Sequence, residues 1–301
     1  MVDTRLNTLL TVIETGSYTK AAVKLSLTQP AVSQHIKSLE EEFEVDIFYK
    51  STRKARLTPE GRILEKYAQR ENALYQNLLS DLETSRNGIR RFVIGVTPSA
   101  EETVVPKMLA SYSLKYPDVR ITVISDTIKN IYRRINNYEI DLGIVEGNVH
   151  DDGLTSLMLD TDYLCLIVSP EHPFARKRSV TLNELKTERL IVRPVSAGTR
   201  RMLEGYLYGC SENLNNFRIS MEIDNVSTIK DLVRENLGVS IIAHSACAQE
   251  ERSGKLKVIP IENFRTIREI NIVYRKDFRH EEILNELCQI YLNYRGIFNK
   301  D

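Results

Sequence analysis

Between positions 28 and 43 the sequence sets short hydrogen-bonding side chains beside an apolar stripe. Val32, Ile36, Leu39 and Phe43 recur at helical spacing after Thr28-Gln29-Pro30. With Val32 as origin and about 100° per residue, Ser33 falls near ~100°, Lys37 near ~140°, Pro30 near ~160° and Gln34 near ~200°, a single face turned from the stripe. A glutamine can grip an adenine edge through two hydrogen bonds, a serine can bond several bases, and a lysine can reach phosphate or guanine. A solvated face on any small bundle has the same composition, so the helix alone leaves both readings open. The charges that follow separate them. Glu40, Glu41, Glu42, Glu44 and Asp46 crowd the far end of the helix. After Val45-Asp46-Ile47-Phe48-Tyr49, the stretch from Lys50 to Leu57 carries Lys50, Arg53, Lys54 and Arg56 and no acid. A strand, a basic tip and a return strand form a wing suited to a phosphate backbone or minor groove. Each phosphate neutralised adds about −0.9 to the slope of log affinity against log salt.

Holding that face at groove-reading distance takes a scaffold. Leu6, Leu9, Leu10 and Ile13 predict a first helix, with Asp3 as its cap and Gly16 as its stop. Ser17 opens a short second helix whose Ala21, Ala22 and Leu25 face inward. Thr28 then caps the third helix, with Pro30 in its first turn. Polar groups at the start of the second helix of a helix-turn-helix are what major-groove reading requires.

Gly16-Ser17-Tyr18-Thr19-Lys20-Ala21-Ala22, Thr28 through Glu40, and Leu57-Thr58-Pro59-Glu60-Gly61 together resemble the LysR-type transcriptional regulators. The resemblance implies that Gln29, Pro30, Ser33, Gln34 and Lys37 face DNA and that Arg53 reaches the minor groove. Thr28, Lys50 and Lys54 complete the expected DNA-contacting set. Two positions depart from the family pattern: Phe43-Glu44 stands where Leu-Gly is usual, and Lys50 where Arg is usual. The second exchange gives a point charge for a bidentate fork.

Thr58-Pro59 opens another helix, in which Ile63, Leu64, Tyr67, Ala68, Leu74, Tyr75, Leu78 and Leu82 keep a spacing of three or four until Asn87-Gly88. So long an apolar seam needs a partner: its own C-terminal domain, or, as the resemblance implies, a second copy. A dimer also suits DNA, since one head reads a half-site.

From Arg91 the period changes. Phe92–Val96, Val119–Ile124 and Ile140–Val145 predict strands separated by helices, and Leu190–Val192, Ile219–Ile223 and Val239–Ile242 repeat the alternation. Tyr163–Val168 and Ile270–Tyr274 are placed to cross between the halves. The fold class expected is therefore α/β: an N-terminal winged helix-turn-helix (1–58), a linker or dimerisation helix (59–88) and an effector-binding domain (89–301). Two Rossmann-like lobes make up that domain, lobe one 89–162 with 269–301 and lobe two 163–268, as in periplasmic-type binding proteins. It also resembles the LysR effector domain.

Ligands of such sheets lie beyond the carboxyl ends of the strands. That selects Thr97-Pro98-Ser99-Ala100, Glu146-Gly147 and the run Arg193 through Arg200. Hydroxyls and free amides at helix starts suit a small anion or carboxylate. Ser196-Ala197-Gly198-Thr199-Arg200 is similar to a run common in the family, and the resemblance implies that Thr97, Ser99, Ser196 and Thr199 line the inter-lobe cleft. The expected effector set is Thr97, Pro98, Ser99, Ala100, Glu146, Arg193, Ser196 and Thr199. Capping is the plainer role open to Ser99 and Thr199, and Glu101 and Glu102 would oppose an anion beside them.

Composition narrows the function classes. The 301 residues are 42% hydrophobic and 27% charged, the range of ordinary folded domains, and 41 basic residues balance 41 acidic ones. A whole-chain basic field is excluded, so any nucleic-acid role rests on local segregation of charge. No apolar run reaches the ~18 residues of a membrane span and no secretory leader is visible, so a cytoplasmic protein is expected. The five histidines are scattered; His150-Asp151-Asp152 sits on a loop, where adjacent side chains rarely converge on a metal. No catalytic set, metal or cofactor is expected. Four cysteines, Cys165, Cys210, Cys247 and Cys288, lack CxxC spacing. Cys210 as a redox switch would need a resolving thiol nearby in sequence, and none is there. The expected partners are double-stranded operator DNA, a small-molecule effector, further copies of the chain in a dimer or tetramer, and RNA polymerase. The alternative is a small-molecule carrier or enzyme with a vestigial DNA-binding head.

Overall fold

A computed structural model of the chain describes residues 3–49, 55–147 and 151–298. It divides into two units, Met1–Arg90 with Asn137–Glu139, and Arg91–Asn136 with Ile140–Asp301.

In the first unit, α1 (Thr4–Thr15) starts where the Asp3 side chain accepts from the Arg5 amide and stops where Gly16 takes φ 64°. The left-handed region costs a glycine nothing. The core face of α1 differs from the expected one by a fraction of a turn. Thr8, Leu9, Thr11 and Val12 are buried, while Leu6 and Ile13 pack at the margin. Each threonine returns its hydroxyl to a carbonyl four residues back, which lets it enter the core satisfied. Ser17 caps α2 (Tyr18–Leu25) and Thr28 caps α3 (Gln29–Phe43), whose second residue is Pro30. Val32, Ile36 and Leu39 are buried with Leu9, Val12, Ala21 and Ala22. Phe43 is not: it is 47% exposed, because Glu44 already turns out of the helix at φ 53°. Beyond the turn, Phe48 pairs with Leu57 in an antiparallel bridge and the Tyr49 amide donates to the Arg56 carbonyl, the base of a hairpin. The basic tip, with Lys50, Arg53 and Lys54, lies outside the described residues. Capped by Thr58, with Pro59 as its first residue, α4 (Pro59–Asn87) runs for 29 residues to Gly88 at φ 73°.

The second unit opens with β1 (Arg90–Val96), α5 (Pro98–Glu101), α6 (Val105–Lys115), β2 (Val119–Ser125), α7 (Ile128–Asn136) and β3 (Leu142–Glu146). The crossing strand β4 (Leu154–Val168) follows, then α8 (Leu182–Thr187), β5 (Leu190–Val192), α9 (Gly198–Gly209), β6 (Ile219–Glu222), α10 (Val226–Arg234) and β7 (Val239–Ala243). The chain ends in α11 (Ala248–Arg252), β8 (Lys257–Ile259), β9 (Ile267–Arg275) and α12 (Glu281–Phe298). The strand order is β2-β1-β3-β9-β4-β7-β5-β6, with β8 against β4. β1 pairs β3, and β5 pairs both β6 and β7, in parallel, as βαβ alternation requires.

The crossing strands run the other way. β9 is antiparallel to β3 and β4, and β4 is antiparallel to β7, so each lobe is a mixed sheet. At 15 residues β4 is long enough to serve both lobes: its first part pairs β9 and its second part pairs β7. Both sheet faces are covered. Ile94, Val96, Leu142, Ile144 and Ile272 pack beneath α6 and α12, while Val145 and Val273 meet Ile131 and Ile135 of α7. Lobe two repeats the arrangement, with Leu166 and Val192 on one face and Ile167, Ile191 and Ile229 on the other. Strands buried on both faces read as continuous apolar runs, which is how they appear in the sequence.

Candidate functional site

On α3 the polar face stands as its spacing requires. Thr28, Gln29, Pro30, Gln34 and Lys37 are exposed and Ser33 is half-buried. Gln29 Nε2 donates to Ser33 Oγ at 2.8 Å, so the first turn presents a linked pair beside the open amide of Gln34. Lys37 Nζ lies 3.4 Å from Glu41 one turn on, a pair too exposed to hold it back from phosphate. His35 points the other way: its Nδ1 lies 2.9 Å from the Thr8 hydroxyl, which makes it a joint between α1 and α3. At the base of the hairpin, the Arg56 guanidinium lies 5.8 Å from the Tyr49 ring centroid.

In the second unit the ends of β1, β3 and β5 open on a cavity of about 690 Å³. Of the expected effector residues, Thr97, Pro98, Ser99, Glu146, Arg193 and Ser196 line it. Ala100 and Thr199 do not. Ala100 is 1% exposed and packs into the core of lobe one, and Thr199, one residue inside α9, turns its side chain into the protein. Thr97 also caps α5, accepting from the Ala100 amide at 3.3 Å while donating to Glu146 Oε2 at 2.5 Å. The cap of α5 is thus Thr97 and not Ser99, and α9 follows Ala197 with Thr199 inside the helix, so neither Ser99 nor Thr199 takes the capping role open to it. Glu101 and Glu102 line a different cavity of about 540 Å³, so they do not oppose an anion in this one. In that second cavity Lys230 lies 3.1 Å from Glu102 and 2.7 Å from Glu250, so these charges satisfy one another.

Six wall residues came from positions without a local signature: Thr127, Lys129 and Tyr132 around the start of α7, Arg201 in α9, Asp224 after β6 and Arg268 in β9. Arg268 is buried within the crossing strand, 3.0 Å from Asp162 and 3.4 Å from Glu146. Only the strand order, which puts β9 between β3 and β4, brings these three together. Arg193 is buried too, with Nη2 2.7 Å from Asp224 and Nε without a hydrogen-bond partner among the described residues. Arg200 holds the loop in place, donating to the Arg193 carbonyl at 3.1 Å and pairing with Glu204 at 2.6 Å. Nearby, α9 follows Ala197, an N-cap residue whose side chain makes no capping hydrogen bond, which leaves first-turn amides for a ligand.

Two cysteines distant in sequence meet in lobe two. Cys165 and Cys247 are buried with their sulfurs 3.8 Å apart. The Cys165 thiol is pushed well up by its hydrogen bond with the Cys247 thiol and by burial, the opposite of an activated thiolate. Cys210 is exposed. Among the described residues no group of three or more His, Cys, Asp or Glu side chains could hold a metal, and no helix is long and apolar enough to cross a membrane. His150 lies outside the described residues.

Comparison with known proteins agrees with both halves. Residues 4–62 match the bacterial regulatory helix-turn-helix protein, lysR family, and residues 86–294 match the LysR substrate binding domain. The chain is 31% identical over 275 residues to a probable RuBisCO transcriptional regulator of Emiliania huxleyi, covering 89% of this chain and 87% of that protein. Among solved structures it resembles full-length CbnR complexed with its target DNA, at TM-score 0.69 and 17% identity over 96% of this chain and 98% of that one. It also resembles the Synechocystis PCC6803 CcmR regulatory domain in complex with 2-PG, at TM-score 0.57 and 22% identity over 70% of this chain and 98% of that one. With a helix-turn-helix domain and a two-lobed substrate-binding domain each matched along its length, the chain belongs to the LysR family of transcriptional regulators.

Proposed function

We propose that this regulator reads operator DNA through Thr28, Gln29, Pro30, Ser33, Gln34 and Lys37 of α3, with Lys50, Arg53 and Lys54 of the wing on the backbone or minor groove. A small anionic or carboxylate effector binds in the 690 Å³ cavity against Thr97, Pro98, Ser99, Arg193 and Ser196 and shifts the balance between two lobe arrangements. The chain works as a dimer or tetramer joined through α4, and contact with RNA polymerase belongs to the same reading. The observation that carries the DNA half is that Gln29, Pro30, Gln34 and Lys37 of α3 are exposed while Val32, Ile36 and Leu39 on its opposite side are buried. Arg193, buried with an unpartnered Nε beside an uncapped helix start, supports the anion. CbnR on its target DNA and the CcmR domain with 2-PG are relatives of this fold in which each kind of partner is held.

Footprinting and gel-shift titration of the full chain, on DNA upstream of its own and neighbouring genes, test the first half. A protected pseudo-palindrome is expected. Gln34→Ala and Ser33→Ala should relax base preference by roughly 1–3 kcal/mol at single positions. Arg53→Ala should weaken binding to all sequences alike and make the salt slope shallower by about 1. An equal loss on every DNA for Gln34→Ala would contradict its base-reading role.

A further inference from the structure

The basic wall of the 690 Å³ cavity suits an anion, but its floor is acidic. Glu146 is 8% exposed and stands at the end of β3, held there because Gly147 turns the chain at φ 100° and is pinned by hydrogen bonds to Glu269 and Asn271. Its Oε2 takes the Thr97 hydroxyl, and its Oε1 has no hydrogen-bond partner among the described residues. Arg268 Nη2 lies 3.4 Å from Oε1 and is engaged at 3.0 Å by Asp162. Asp162 is itself fully served, accepting from the Ser245 hydroxyl at 2.7 Å, the Ser245 amide at 3.1 Å and the Tyr163 amide at 2.8 Å. One guanidinium thus answers two buried carboxylates, which leaves the floor short of one donor. The far wall has the opposite imbalance, with Arg193 Nε unpartnered and Lys129 and Arg201 on the same cavity.

A buried acceptor left open is costly, and a ligand donor that closes it is rewarded by that avoided cost. We propose that the effector is dipolar: an anion that also carries a hydroxyl or ammonium group, donated to Glu146 Oε1, so that Glu146 selects against the plain acid. This rests on the reading of the cavity as an anion site and narrows the class it accepts. A hydrogen bond to a buried charge corresponds to a preference of about 10- to 100-fold over the unsubstituted analogue.

Isothermal titration of the full chain with two matched series tests it. The first is succinate, malate and aspartate; the second is ethyl phosphate, 2-hydroxyethyl phosphate and phosphoethanolamine. In at least one series a substituted member should bind about 10- to 100-fold more tightly than its parent. Glu146→Leu, which leaves Arg268 its partner Asp162, should erase that preference, so that parent and substituted members bind alike. Glu146→Gln, closer in shape, is measured alongside and should reduce the preference if the leucine variant does not fold. Parents binding as tightly as their substituted partners would overturn the role of Glu146 and leave the anion site standing, as would a preference that survives in the variants. Failure of every member of both series to bind would overturn the anion reading itself.

Discussion

Arg268 sits between two buried carboxylates on neighbouring strands, Asp162 at 3.0 Å and Glu146 at 3.4 Å, and all three side chains are at most 6% exposed. Charges so withdrawn from water depend on one another, and removing one partner strands the rest. Arg268→Met should therefore cost about 3–5 kcal/mol in urea unfolding, whereas Lys37→Met, which removes a pair more than half exposed on both sides, should cost under about 1 kcal/mol. A loss below about 1 kcal/mol for Arg268→Met would show that the carboxylates find other donors. None of this is legible locally. Arg268 lies in Ile267-Arg268-Glu269-Ile270, a short apolar and charged alternation, and Asp162 precedes an apolar run by one residue. By contrast, the residues of α3 were legible because side chains on one helix share a frame set by 3.6 residues per turn.

At the scale of elements, close approach decides more than propensity. Gly61 sits in the first turn of α4, where a Cβ would lie 2.2 Å from the Ile47 carbonyl oxygen, a backbone atom that cannot rotate away. Its absence lets α4 start against the segment that leads into the hairpin, with Thr58 donating to the Asp46 carbonyl at 2.6 Å. Gly61→Ala should destabilise the N-terminal unit by about 2 kcal/mol or more, the upper part of the overpacking range, with wing-dependent DNA affinity falling in parallel. Thermal unfolding followed by circular dichroism would read the first effect and gel shift the second. An unchanged melting temperature would mean that the helix start can move. Gly61 was visible in the Leu57–Gly61 motif, but its reason was not, since the oxygen it spares belongs to a residue fourteen positions away.

At the scale of the whole molecule, α4 leaves a line of apolar side chains uncovered: Ile63, Tyr67, Leu74, Leu78 and Leu82 are 46–61% exposed. Of its residues only Gly61, Ala68 and Ala73 are buried within the chain. A seam of that length is the surface through which we expect two copies to join, and two heads are needed to read both half-sites. Leu78→Glu with Leu82→Glu should shift the sedimenting species from dimer or tetramer to monomer. Operator affinity should fall by at least about 100-fold, since the second head then binds without the gain of tethering. Retention of the oligomer would place the joining surface elsewhere.

Elements built from contiguous residues were determined by the sequence itself. The caps Asp3, Ser17, Thr28 and Thr58, the stripe of α3 and the β-α alternation from residue 91 all depend on neighbours within a few positions. Where a helix ended early, as at Glu44, the last residue of the expected stripe, Phe43, was lost to the surface. The cavity is another matter. Its β-strand ends could be anticipated from the topology of open sheets, yet Lys129, Arg201, Asp224 and Arg268 were placed by the order in which strands lie side by side. Periodicity reports which way a side chain leaves its own element; which foreign charge it meets is settled by tertiary packing, because strands far apart in the chain become neighbours 5 Å apart only when the sheet closes at about that spacing.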